Sequence, residues 1–163
     1  VNLTNGTGQH GDTCIHWTNQ HVPGLQGDIV KVIGKKAEEL RAILIDHHAS
    51  DALYFYPYKG MMTRIPEDFN AYGRRDPGWI CQAEVYVTGR DELSDERRAW
   101  VESFRTELAP LSYENSYLNS SSFEDIDQVR RFYGDQKFEK LQRIKAIYDP
   151  TNFFCHNFNI PPP

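Results

Sequence analysis

The stretch Trp79-Ile80-Cys81-Gln82-Ala83-Glu84-Val85-Tyr86-Val87 limits what this chain can fold into more than any other. Successive side chains of a strand point to opposite faces. Trp79, Cys81, Ala83, Val85 and Val87 therefore share one side, and Gln82, Glu84 and Tyr86 share the other. The apolar side needs a cover, and two helical segments offer one. Over residues 28–49, Ile29, Ile33, Ala37, Leu40, Ile43, Leu44 and His47 fall on one broad face, although Gly34 interrupts the pattern near its start. His47-His48 reads as a helix end, where a protonated imidazole suits the dipole. A second helix opens at Ser94-Asp95-Glu96, with a cap and two acids at its positive end. It carries Trp100, Val101, Phe104 and Leu108 as a stripe and stops at Pro110. Residues 52–58 read as a further strand. The expected fold class is α+β: an antiparallel sheet covered by helices on one face.

Residues 1–27 show no clear period. Their His10, His16 and His21 do not match a compact ligand set, so they read as solvated loop histidines and no metal site is expected. Residues 118–127, rich in Ser, Asn and Asp, read as a surface loop. Two short helices follow. The first covers about 125–133 and ends at Gly134. The second opens at Asp135, buries Phe138, Leu141, Ile144 and Tyr148, and ends at Asp149-Pro150. Residues 153–160 read as a returning strand, with Phe154 and Ile160 in the core, before Pro161-Pro162-Pro163 ends regular structure.

With 163 residues, 39% of them hydrophobic, the chain supports one ordinary domain. A net charge of −5 with dispersed basic residues disfavours nucleic acid or an anionic membrane as partner. No apolar run approaches the roughly 20 residues of a membrane-spanning helix. The sequence starts at Val1 and is expected to be a mature or internally cut product. Acceptor sequons at Asn2, Asn5 and Asn119 favour glycosylation and a secretory origin. Cys14, Cys81 and Cys155 lack metal-site spacing. Cys81 reads as a core residue, and a bridged pair or a bridge to another segment both stay open.

Two passages share their order with a known family. The first is Gly60-Met-Met-Thr-Arg64-Ile65-Pro66-Glu-Asp68-Phe69-Asn70-Ala71-Tyr72-Gly73-Arg74-Arg75. The second comprises Tyr113-Glu-Asn115-Ser116-Tyr117, then Phe132-Tyr133-Gly134, Tyr148-Asp149-Pro150-Thr-Asn152-Phe153-Phe154 and Asn157-Phe-Asn159-Ile160. Together they resemble the C-terminal part of the berberine-bridge-enzyme-like FAD-linked oxidoreductases. The resemblance divides the chain into the end of a substrate-binding domain (1–112) and a berberine-bridge-like C-terminal segment (113–163). It implies that the sheet floors or backs a substrate cavity, and that a C-terminal helix–strand appendage packs on an FAD-binding domain absent from this chain.

The chemistry so implied is oxidation of an alcohol, a carbohydrate or secondary metabolite, by hydride transfer to FAD while a base removes the hydroxyl proton. In many members the base is the second Tyr of Tyr-x-Asn-Tyr. Ser116 stands there in this chain, and Tyr117, one residue on, faces inward only if a bulge turns it. Tyr113, Ser116 and Tyr117 are thus the catalytic candidates. Tyr72, Arg74, Arg75, Gln82 and Glu84 are the candidates for lining the substrate cavity. Glu84 serves either as a base or as a residue that meets solvent or an arginine. Asn115 and Asn157 are the expected cofactor contacts. Neither a glycine-rich pyrophosphate loop nor the histidine that attaches flavin resembles anything in this chain. The expected partners are therefore an N-terminal FAD-binding chain of the same protein and a small-molecule substrate. Ser116 and Arg74 in place of the family's Tyr and His motivate the alternative, an inactive member acting as a binding or storage protein.

Overall fold

The computed structural model describes residues 13–44, 51–73, 75–88, 92–113, 126–156 and 158–163. Three strands, β1 (Thr13–Val22), β2 (Ala52–Tyr58) and β3 (Gly78–Thr88), form an antiparallel sheet in the order β1-β3-β2. The alternating segment is thus the central strand. Cys81, Ala83 and Val85 on its apolar side, with Val22 of β1, form a core with Ile29 and Leu40 of α1 (Asp28–Leu44) and Trp100, Val101, Phe104 and Leu108 of α3 (Glu92–Leu108). Burial pushes the Cys81 thiol up to about 12, so it stays a protonated, apolar filler.

Polar links fix the helices over this core. Lys36 of α1 is 1% exposed, and its ammonium reaches Glu39, Glu107 and the Ser103 hydroxyl at 2.7–2.9 Å. Three acceptors offset the cost of taking that charge out of water. β2 begins opposite Glu84, which leaves the Tyr86 backbone without a strand partner on that side. Asp51 fills the place by accepting the Tyr86 N–H at 2.9 Å, and Arg97 pairs with Asp51 at 2.9 Å while donating to the Tyr86 carbonyl.

Three expectations change here. Residues 13–22 form β1, although they show no apolar period, because His16 and Thr18 face the helices while Trp17, Asn19 and His21 face away. Gly34 sits within α1 without ending it. Ser94 lies inside α3, which starts at Glu92, and so does not cap it. A short helix α2 (Met61–Arg64) follows β2.

Helices α4 (Ile126–Tyr133) and α5 (Asp135–Tyr148) form a second unit around Val129, Phe132 and Phe138, joined by Tyr133, Phe158 and Ile160. Gly134, at φ 73°, makes the corner between them. The apolar face of α5 is only partly covered: Ile144 and Tyr148 are exposed, as is Phe154. The described residues between 153 and 160 form no strand. They leave α5 through a turn held by Asp149, whose carboxylate accepts the Phe153 and Phe154 N–H groups and pairs with Lys145, with Asn152 at φ 54°. The hydrogen bond from Lys145, then burial in opposition and the two N–H groups, set the Asp149 carboxyl below its ordinary range. Its folded value is the depressed one, so its stabilisation is present above the unfolded value near pH ~4 and is lost as pH falls through the folded value. Amide exchange at Phe153 and Phe154 should therefore accelerate in acid, and Asp149→Asn should remove that pH dependence.

Gly73 meets the Phe132 ring so closely that a Cβ would overlap three of its atoms. Gly73→Ala should cost about 1–3 kcal/mol by overpacking, read as a lower denaturation midpoint. Gly73→Ala combined with Phe132→Leu should recover part of that loss.

Candidate functional site

The sheet face turned away from α1 and α3 carries the polar side chains. Strand register defines it in rows. Trp17, Glu84 and Ala52 lie abreast; next come Asn19, Gln82 and Tyr54; then His21, Ile80 and Tyr56; and Gly78 lies beside Tyr58. Three residues at its centre, Asn19, Gln82 and Glu84, are 8% exposed or less, whereas Tyr54 and Tyr56 at the β2 edge are 36% and 46% exposed. This is a floor with a buried polar middle and an aromatic rim.

Glu84 is its chemical centre. Gln82 Nε2 donates to Glu84 Oε2 at 2.9 Å, and the Tyr86 hydroxyl donates to Oε1 at 3.2 Å. The Tyr54 hydroxyl also hydrogen-bonds this carboxylate, which raises the Tyr54 phenol above its ordinary range. Repulsion by the Glu84 charge, with burial and the hydrogen bond, raises Tyr86 as well. Both phenols therefore act as proton-bearing donors to a carboxylate and not as phenolate bases. Glu84 is 8% exposed, and Gln82 and Tyr86, which donate to it, are uncharged.

Aromatic rings continue the floor towards the second unit. His21 is 6% exposed and meets Tyr58 and Tyr113 edge-on at 4.9 and 4.8 Å. Gly78 permits this, because a Cβ there would strike the Val22 carbonyl and crowd His21. Tyr58 stacks on Tyr72 at 6.4 Å, and Tyr72 meets Phe132 of α4 at 6.1 Å. Tyr113 donates its N–H to the His21 carbonyl at 2.7 Å and its hydroxyl to the Pro77 carbonyl at 3.1 Å. Its phenol thus clamps the strand ends. Tyr72 sits at the end of the floor, its carbonyl accepting from Lys137, and the Arg75 guanidinium stacks 5.0 Å over its ring. Arg75 also donates to the Met62 carbonyl at 2.8 Å and to Asn70 Oδ1 at 2.9 Å, so it braces the loop around Tyr72.

Of the residues singled out from sequence, the structure brings Gln82 and Glu84 together, and ring contacts with Tyr58 and His21 tie Tyr72 and Tyr113 respectively to one end of the floor. Asn2, Asn5, Arg74, Asn115, Ser116, Tyr117, Asn119 and Asn157 lie outside the described residues. Sequence reasoning missed Asn19, His21, Tyr54 and Tyr58. His16 and His21 lie on opposite faces and cannot share an ion. No group of three metal-ligating side chains occurs among the described residues.

A cleft of about 910 Å³ lies elsewhere, between residues 67–71 and the start of α5. It is lined by charges of both signs, among them Glu67, Asp68, Lys137 and Lys140, and contains none of the floor residues. The buried carboxylate places the candidate site on the floor instead.

Comparison with known proteins agrees with this architecture. Residues 116–161 match the family described as "Berberine and berberine like". An uncharacterized FAD-linked oxidoreductase of Bacillus subtilis, YgaK, is 31% identical over 105 residues, covering 63% of this chain and 22% of its own length. Berberine bridge enzyme-like 3 of Arabidopsis thaliana is 32% identical over 128 residues, covering 68% of this chain and 23% of its own length. The chain thus spans less than a quarter of these curated relatives. The structure of berberine bridge enzyme from Eschscholzia californica superposes with a TM-score of 0.72 at 18% identity, over 95% of this chain and 34% of that one. That likeness establishes the fold.

Proposed function

We propose, since this chain corresponds to the C-terminal part of a berberine-bridge-enzyme-like FAD-linked oxidoreductase, that the whole protein oxidises an alcohol, a carbohydrate or a secondary metabolite, by hydride transfer to FAD. The observation that carries this reading is the buried Glu84 carboxylate at the centre of an aromatic floor. A ring-bearing substrate lies against Tyr54 and Tyr56, and its hydroxyl hydrogen-bonds Glu84. Glu84 takes the hydroxyl proton as the carbon is oxidised, the role for which Ser116 has no suitable group. Gln82 and Tyr86 hold the carboxylate in place, one on each oxygen. Tyr72 and Arg75 close one end of the floor.

The described residues fit the edge of the cofactor and not its phosphates. Asn159 Oδ1 is buried without a hydrogen-bond donor among the described residues, next to the segment expected to meet flavin. It would accept from a ring N–H, alongside Asn115 and Asn157. The remainder of FAD is held by a preceding FAD-binding part of the same protein. Support comes from the exposed apolar end of this chain, where Ile147, Tyr148, Phe153 and Phe154 are 74–83% exposed. The sequons at Asn2, Asn5 and Asn119 support glycosylation and secretion; no helix among the described residues is long and apolar enough to cross a membrane.

Anaerobic mixing of the flavin-bearing protein with a panel of sugars and aromatic alcohols tests the reading. Bleaching of the oxidised flavin by at least one class is the expected result. Binding without bleaching across the panel would instead favour a binding or storage protein.

A further inference from the structure

We infer that Lys137 is a positioning residue for the substrate floor: from α5 it fixes Tyr72 at the floor's end and so sets how long a molecule the floor holds. The inference rests on the floor receiving the substrate. Burial does little to hold the stretch that leads to Tyr72, since Glu67, Asp68, Phe69, Asn70 and Ala71 are all exposed. Polar contacts shape it instead. The Phe69 N–H donates to the Pro66 carbonyl at 3.1 Å, and the Tyr72 N–H donates to Asn70 Oδ1 at 3.0 Å. Both bonds are local, so they shape the turn without tying it to another element. The half-buried Lys137 supplies that tie. Its ammonium donates to the Glu67 carbonyl and to the Tyr72 carbonyl, which joins both ends of the stretch to one helix through charge-assisted hydrogen bonds.

Tyr58, Phe132 and Arg75 meet Tyr72 at its ring. Arg75 is bound to Asn70 and to the Met62 carbonyl, so it belongs to the loop it braces. Tyr58 and Phe132 seat the ring but hold nothing of the stretch before it. Lys137 acts on the backbone, from a helix whose first turn is anchored by the buried Phe138. The length argument follows from the strand. Tyr72 stacks on Tyr58, which lies four residues from Tyr54 along β2, roughly 14 Å at the usual rise of a strand. A single ring seated on Tyr54 and Tyr56 does not extend to Tyr72, whereas three rings in line do.

The test measures affinity by calorimetry in the flavin-loaded protein, with glucose and benzyl alcohol as short probes and cellotriose and a linear three-ring benzyl ether alcohol as long ones. Lys137→Met removes the N–H groups and keeps the stem. It should weaken the long probes by roughly tenfold, the scale of one aromatic contact, and the short probes by less than about twofold. Tyr72→Ala should show the same selective loss, and adding Lys137→Met to it should change nothing more, since both act through one ring. Amide exchange at Phe69 and Tyr72 should accelerate in Lys137→Met, while the Phe138 N–H, bonded to the Gly134 carbonyl at 2.9 Å, stays protected and shows the helix intact. Equal weakening of long and short probes, or full additivity with Tyr72→Ala, would overturn the role of Lys137 and leave the floor as the binding surface. Unchanged exchange at Phe69 and Tyr72 would overturn it whether or not a probe binds. Failure of every probe to bind the unaltered protein would remove the floor reading, and this role with it.

Discussion

Glu84→Gln should slow reduction of the flavin by substrate by roughly 10²–10⁴-fold, the usual contribution of a positioned general base. The substitution is nearly isosteric, and the amide oxygen still accepts from Tyr86 or Gln82. What it loses is the capacity to take a proton at that atom. Substrate affinity should change far less than the rate, because the floor that receives the ring consists of Tyr54 and Tyr56, which are unaltered. Rapid mixing under anaerobic conditions separates the two quantities, and an unchanged circular dichroism spectrum shows that the fold is kept. A loss below tenfold would move the proton-accepting role to a residue outside the described floor. Tyr117 would then be the first to replace, since Tyr113 spends its hydroxyl on Pro77.

The largest effect on stability should come from Phe104→Ala. Phe104 is fully buried between the sheet and α1, beside Trp100 at 6.3 Å. Truncation removes most of a ring from this core, at a cost of about 3–5 kcal/mol. Against a typical total of roughly 5–15 kcal/mol, that leaves little margin. A fall in melting temperature on the order of 10 °C is expected for a unit of this size. Phe104→Leu, which keeps most of the volume, should cost well under half as much. Equal losses for the two variants would mean that the ring is not packed as described.

The covered side of this fold was readable because burial there is one-sided. Cys81, Ala83 and Val85 alternate with polar residues, and Trp100, Phe104 and Leu108 recur at helical spacing, so each element declares the face it buries. β1 was not readable for the opposite reason. Thr18 on one side and Asn19 and His21 on the other are all buried, so no difference in hydrophobicity separates the faces. The chemistry was half legible. Gln82, Glu84 and Tyr86 could be placed together on the polar side of one strand, yet Tyr54 comes beside Gln82 only through the register of β2. On α5 the helical period was readable, but Ile144 and Tyr148 stand exposed, and periodicity does not tell a covered apolar face from an uncovered one.

The chain of rings from Tyr113 through His21, Tyr58 and Tyr72 to Phe132 joins the end of the floor to the small core of α4 and α5. Replacing Phe132 is therefore expected to disturb Tyr72, and through it Tyr58, at the end of the floor and outside the small core that Phe132 helps to fill.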